Sequence, residues 1–455
     1  MRSSTENLHS RVNGRTTGFA VVCRPISQLK LDPRNPRAHS KRQVRQIARS
    51  IETFGFNVPV LIDANFKVIA GHGRILAAQQ LGLAEVPTIL LDHLTEAQAC
   101  AFMIADNRLT ETSVWNDQLL AEQLRDLSLM DLDFGLEATG FEMGEIDLRI
   151  EGLETGAAPE RDAADDLPAA SELTISRGGD LWLLGQHRIF CGSALDRLSY
   201  MKLLGRQKAA MVFTDPPYNV RIEGNVSGFG VVRHREFAMA SGEMSTDEFR
   251  AFLITVCMLL ARHSTSGSIH FYCMDWRHMV ELADAGRDAH FDLLNVCVWA
   301  KTSAGMGSFY RSQHEMVFVF RSARGRHRNN IQLGRFGRNR SNLWTYPGAV
   351  GLRSSEEGNL VTLHPTVKPA AMVADAIMDV SARGDIVLDA FLGSGTTVIA
   401  AERTGRCCHG LEIDPLYVDT AVRRWQAFTR QRAVRASDGK YFDEIEEEVK
   451  RSNAD

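Results

Sequence analysis

An α/β architecture with a mostly parallel, twisted sheet is what this 455-residue sequence predicts, on three observations. The apolar run Met211-Val212-Phe213 leads into Asp215-Pro216-Pro217-Tyr218, a strand tip carrying a carboxylate, a rigid turn and an aromatic face. Far downstream, Asp385-Ile386-Val387-Leu388-Asp389 reads as a parallel strand, followed by the glycine-containing turn Ala390-Phe391-Leu392-Gly393-Ser394-Gly395-Thr396-Thr397 and an apolar helical stretch through Ala401. A third run, Cys408-His409-Gly410-Leu411, ends in Glu412, 19 residues after Gly393.

These loops carry a specific chemistry. Gly393 and Gly395 permit close backbone approach to a ligand at a strand-to-helix turn, and Glu412 stands where an acidic residue of such folds meets ribose hydroxyls. The chain holds no Gly-Lys-Ser/Thr phosphate loop and no three-glycine pyrophosphate pattern, so a nucleoside cofactor without phosphates is favoured. At the other loop, the Asp215 carboxylate and the Pro216 carbonyl can each accept one N–H of an exocyclic amine, drawing its lone pair out of conjugation. Tyr218 offers a stacking surface for a base rotated out of a duplex.

Together with His364-Pro365-Thr366-Val367-Lys368-Pro369, these motifs resemble the DNA amino-methyltransferases, over roughly residues 172 to 433. The amine-handling motif precedes the cofactor motif, the order of the permuted β group of these S-adenosylmethionine-dependent, Rossmann-like enzymes. The resemblance implies that Asp215, Pro216, Pro217 and Tyr218 serve the target base. It implies that Asp389, Phe391, Gly393, Ser394, Gly395, Thr396, Glu412 and Ser193 line the cofactor, with Thr366, Lys368 and Pro369 over its methionine end. Two departures stand out: Ala390 replaces a common Pro, and Ser193 stands where relatives carry an Asp that accepts from the cofactor's adenine amine. Loss of that acceptor is worth about 1 to 3 kcal/mol of cofactor affinity. Asp at 215, where cytosine-N4 enzymes usually carry Ser, favours adenine N6; cytosine N4 is the alternative, as is a regulatory DNA-binding protein with an inactive methyltransferase domain. Cytosine C5 chemistry would need a Pro-Cys nucleophile, and the chain has no such pair.

Recognition of double-stranded DNA is expected between Val296 and His364, with the target-recognition region at about 301–363. From Arg321 through Arg340 there are seven arginines and no acid, which suits phosphate contact and groove reading. Arg335, Arg338 and Arg340 are the candidates there, and Lys301, Tyr310, Arg311 and His314 match a family segment flanking the catalytic pocket, with Glu315 beside them. Relatives of this permuted order often dimerise, and the resemblance leaves a homodimer open.

A linker of Gly, Ala, Pro and acids over 151–171 separates this domain from an N-terminal module. There, Val44, Ile47, Ile51 and Phe54 share a helical face; 58–62 and 66–70 read as strands joined at Ala64-Asn65; Gly71-His72-Gly73-Arg74 is a loop leading into a helix through Leu81; and 86–90 is another strand. Over residues 19–112, Asn35-Pro36-Arg37, Gly71-His72-Gly73-Arg74 and Ala105-Asp106-Asn107-Arg108 resemble the ParB/sulfiredoxin-like fold. In that family the glycine-arginine loop binds nucleotide phosphates at a helix N-terminus. His72 stands where partition proteins commonly carry Glu, so their hydrolysis is not carried over; nucleotide binding and a purely structural adaptor, in which Arg74 pairs with an acid, are both open. Residues 113–150 form a helical extension, 1–18 a disordered start and 434–455 a charged, solvated helical tail.

A net charge of −4 excludes a basic DNA-coating factor, so DNA affinity must be local. Eight scattered cysteines without a C-x-x-C pair indicate neither a disulfide scaffold nor a metal site, and read as core thiols of a reducing cytoplasm. The polar first eighteen residues and the lack of a long uncharged run argue against secretion and a membrane span.

Overall fold

The computed structural model describes residues 19–112, 115–153, 162–168, 173–219, 242–301, 310–322, 325–335, 338–347 and 367–453. They fall into two compact units, Met1–Leu153 and Glu154–Asp455.

In the first unit, β1 (Val21–Pro25), β2 (Val60–Ile62), β3 (Val68–Ala70) and β4 (Glu85–Leu90) form a four-stranded sheet in the order β1-β4-β2-β3, with only β2 and β4 parallel. Val60, Ile62, Val68 and Val86 meet Ile75 and Ala78 in its core. Helix α1 (Lys41–Phe54) starts where Ser40 Oγ accepts the Gln43 N–H. Helix α2 spans His72–Gln80, so the expected 71–74 loop is already the helix's first turn. Gly71, at φ +106°, makes the left-handed entry that allows this, and a Cβ there would also meet the Arg74 guanidinium at 3.0 Å. Helices α3 (Glu96–Thr112), α4 (Asp117–Leu129) and α5 (Met143–Gly152) follow.

The second unit is built on a ten-stranded sheet. Its strands are β5 (Leu181–Leu184), β6 (His187–Cys191), β7 (Ala209–Thr214), β8 (Ser264–Met274), β9 (Phe291–Lys301), β10 (His314–Ser322), β11 (Leu343–Tyr346), β12 (Ile386–Asp389), β13 (Cys407–Glu412) and β14 (Val434–Arg435). The order is β11-β9-β10-β8-β7-β12-β13-β6-β5-β14. The central block β8-β7-β12-β13-β6 is parallel throughout. Helices α6 (Arg197–Leu204), α7 (Thr246–His263) and α8 (Met279–Asp288) cover one face; α9 (Ala370–Val380), α10 (Thr396–Thr404), α11 (Pro415–Thr429) and α12 (Phe442–Ser452) cover the other. Alternation along the strands feeds both layers: Met211, Phe213 and Val387 pack with Val373, Val398 and Trp425, whereas Val212 and Leu388 pack with Leu203, Phe249 and Leu253.

Two expectations change at the edges of this unit. The charged tail is not simply solvated, because β14 pairs with β5 and Phe442 of α12 is buried against Trp182, ring centroids 5.1 Å apart. Part of the expected linker is likewise packed down: Asp165 Oδ1 accepts the Ala370 N–H at the start of α9, and Ala164 O accepts from Arg424. Acids and small residues read as linker by composition, yet here they satisfy a helix N-terminus and a buried guanidinium. Among the described residues no helix is long and apolar enough to cross a membrane, and no cluster of His, Cys, Asp or Glu could hold a metal ion.

Candidate active site at the ends of the parallel strands

Because β7 and β12 are neighbours running the same way, the loops that leave their carboxyl ends emerge side by side. They are also stitched together: Thr214 Oγ1 donates to Asp389 Oδ1 at 2.9 Å and accepts the Ala390 N–H at 3.2 Å. Asp389 is buried, accepting the Phe391 N–H on Oδ1 and the Thr397 hydroxyl on Oδ2. Burial pushes its carboxyl up to about 6 against these hydrogen bonds. Its role is to fasten the loop, and its Oδ1 is spent inside the protein.

The next strand, β13, brings Glu412 to the same edge. The Glu412 Oε2 accepts the Gly393 N–H at 2.8 Å and its Oε1 the Asp414 N–H at 2.9 Å. Each carboxylate oxygen has a second lone pair, which suits a pair of ribose hydroxyls. Burial pushes Glu412 up to about 7. Gly395 sits at φ +83° and opens α10; a Cβ there would lie 2.7 Å from the Ala421 Cβ, so the turn closes onto α11 only as glycine. One strand further, Gly192 N–H donates to Glu412 O, which sets Ser193 beside the Glu412 end of the cradle. The Ser193 hydroxyl oxygen accepts the Leu195 N–H within its own turn. This oxygen-lined, phosphate-free cradle fits the nucleoside part of S-adenosylmethionine.

Ser394 and Thr396 brace the loop from within. Both are buried, and their oxygens accept from the buried Arg424 of α11 at 3.0 to 3.4 Å, which ties the loop to the helix beneath. Phe391 is half-buried and packs against Phe252, centroids 5.9 Å apart. Pro369 precedes α9 and is buried; Thr366, with His364 and Pro365, lies outside the described residues.

At the base loop, Tyr218 OH donates to Asp215 Oδ1 at 2.6 Å, while Lys368 Nζ donates to Asp215 Oδ2 at 2.5 Å. The Lys368 ammonium thus faces the base loop. It also lies 3.2 Å from Glu315 Oε2, and Glu315 Oε1 accepts from Lys301 at 2.5 Å. Burial works to raise Glu315, but Lys368 and Lys301 outweigh it and hold that carboxyl down at about 2. For Asp215, burial pushes the carboxyl up and Lys368 opposes the push. Asp215 and Pro217 are half-buried and Pro216 is buried, with Asn219, at φ +53°, bracing the loop by accepting from Gly242 and Met244 N–H groups.

Of the residues expected to meet DNA, Tyr310, Arg311, His314 and Arg335 are exposed. Lys301 is taken into the ion pair with Glu315. Arg338 and Arg340 are held in ion pairs inside the fold. Arg338 is only 6% exposed, its Nη2 lying 3.0 Å from Asp375 Oδ1 and 3.1 Å from Asp379 Oδ1. Arg340 pairs with Asp375 at 2.8 Å and Asp379 at 2.9 Å, and its guanidinium lies over the Trp344 ring. These two positions on one face of α9 need internal cations, so the guanidiniums are consumed within the fold.

Sequence reasoning did not single out Thr214, Arg424 or Asp165. A threonine closing a buried strand gives no local signal of the loop it will hold, and the Arg424 partners lie 28 to 30 and 260 residues away. Glu315 was already named in the segment flanking the catalytic pocket, but its two lysine partners were not.

In the first unit, a cavity of about 320 Å³ is lined by Arg37, Gly71, Gly73, Arg74, Asp106 and Asn107, among others. Among the described residues Arg74 Nε is buried there with no hydrogen-bond partner, and burial lowers its pKa while Asp106 opposes. His72 is turned inward, its Nε2 accepting the Asp32 N–H at 3.3 Å, and burial lowers its pKa.

Comparison with known proteins agrees with both units. The ParB N-terminal domain family matches residues 14–108, the ParB-methyltransferase HTH domain residues 118–178 and the N6/N4 DNA methylase family residues 209–423. Among curated proteins, the ParB-like nuclease domain-containing protein YnaK of Escherichia coli K12 is 46% identical over 78 residues, 17% of this chain and 90% of that protein. Type II methyltransferase M.ScaI of Streptomyces caespitosus is 37% identical over 99 residues, 21% of this chain and 32% of that enzyme. Among solved structures, the M1.HpyAVI–SAM complex aligns with 52% of this chain and 97% of its own at 20% identity and a TM-score of 0.39. The chain thus carries an N6/N4 DNA methylase domain over residues 209–423 behind a ParB-like N-terminal domain.

Proposed function

We propose that this chain methylates adenine N6 at specific sites in double-stranded DNA. The observation that carries the reading is the adjacency of the Asp215–Tyr218 loop and the Gly393–Glu412 cradle at the ends of β7, β12 and β13. The Asp215 carboxylate and Pro216 carbonyl would accept the two N–H groups of the amine and aim its lone pair, with the Tyr218 ring against the flipped base. Gly393, Gly395 and Glu412 would hold the nucleoside part of the cofactor, which supplies an activated methyl when bound. Exposed Tyr310, Arg311, His314 and Arg335 would meet the DNA, together with the region that matches the HTH family. Incubating the protein with labelled S-adenosylmethionine and duplex DNA, then identifying the modified nucleoside, tests this. N6-methyladenine is expected; N4-methylcytosine would move the target, and no transfer would leave the regulatory reading.

A nucleotide at the N-terminal domain is the second part of the proposal, favoured by the unpartnered Arg74 Nε at a cavity beside the first turn of α2. Loss of a charge-assisted contact of this kind is expected to weaken nucleoside triphosphate binding roughly 10- to 100-fold in Arg74→Ala. Calorimetric titration with the four triphosphates checks it, and equal affinity in the variant would support the adaptor role.

A further inference from the structure

A balanced quartet of charges runs behind the base loop. Lys301 on β9 donates to Glu315 on β10, Glu315 faces Lys368 just before α9, and Lys368 donates to Asp215 after β7. Lys368 Nζ also donates to Tyr218 OH at 3.3 Å, and that hydroxyl donates to the other oxygen of Asp215. The Lys368 side chain is 5% exposed and that of Glu315 11%. A cation so enclosed persists only between anions, and an anion so enclosed persists only beside a cation.

We propose that Lys368, fixed in place by Glu315, is a positioning residue that keeps Asp215 an aimed anion ready for the target amine. The inference rests on the reading that Asp215 receives that amine. Without the ammonium, burial and the Glu315 charge would both favour a protonated Asp215, whose O–H would present a donor to a donor. The other titratable groups facing Asp215 do not replace Lys368: Tyr218 is held protonated by burial, as is Cys273 on β8, and Asp389 on β12 carries the wrong sign. Lys301 reaches the site only through Glu315.

The test is the dependence of kcat on pH for the full-length protein with duplex DNA, alongside S-adenosylmethionine affinity. Lys368→Met is expected to move the acidic limb up by about 1 to 3 pH units, because the opposing cation is gone. At neutral pH kcat should fall roughly 10- to 100-fold, with cofactor affinity within about threefold of the parent. Lys368→Gln should behave likewise and serves if the Met variant does not fold. Lys368→Arg should restore the limb, and Glu315→Gln should lower kcat with cofactor affinity retained. An unmoved limb in both neutral variants, or loss of cofactor affinity as their sole defect, would overturn the proposal in favour of a cofactor-side lysine. A parent protein that transfers no methyl group would instead overturn the reading of Asp215 itself.

Discussion

Asp215→Ala is expected to lose methyl transfer by about three orders of magnitude or more while S-adenosylmethionine affinity changes by no more than about threefold. The carboxylate stands at the end of β7, and the ligands of the cofactor cradle stand on the neighbouring strands, so its removal disturbs the reacting amine and not the cradle. An exocyclic amine conjugated with its ring is a poor nucleophile. What the residue supplies is orientation, which appears in kcat. Folding should survive, since Lys368 keeps Glu315 as a counter-ion and Tyr218 keeps Lys368 as a neighbour. Asp215→Asn retains one acceptor and should fall between. Single-turnover transfer from labelled cofactor, paired with a titration of cofactor binding, separates the two effects. Turnover equal to the parent in the Ala variant would remove Asp215 from the chemistry.

Arg338→Met is expected to destabilise the methyltransferase unit by about 2 to 4 kcal/mol, read as a lower denaturant midpoint. Asp379, itself 2% exposed, would lose one of its two guanidinium partners, and burial already pushes its carboxyl up to about 6. Arg340 and the Tyr346 hydroxyl, which donates to Asp375, soften the loss without replacing it. A residue that instead touched phosphate would leave stability unchanged and lower DNA affinity with a shallower salt dependence. That second pattern would restore Arg338 to the DNA-facing surface. Arg335, exposed on the same segment, is the internal control.

The contrast between these two arginines shows where reading the sequence fell short. A count of seven arginines and no acid over 321–340 is a statement about a stretch of chain, whereas charge balance is settled in space. The neutralising carboxylates, Asp375 and Asp379, come from a helix 37 to 41 residues later. The surroundings of Lys368 escaped the sequence for the same reason: Asp215 stands 153 residues earlier and Glu315 on another strand. The 434–455 tail looked solvated because half of its residues are charged, yet Phe442, Ile445 and Val449 pack α12 on the core of the sheet.

What the sequence determined by itself was the strand, turn and helix identity of the two loops, because proline, glycine and alternating apolar residues act within a few positions of where they stand. The order of Asp215 before Gly393, and hence the permuted arrangement, was equally legible. Only the tertiary structure decided which charges face one another. Ion pairing and burial depend on which strands become neighbours in the sheet, and that placement brings Lys301, Glu315, Lys368 and Asp215 from four separate segments to one point.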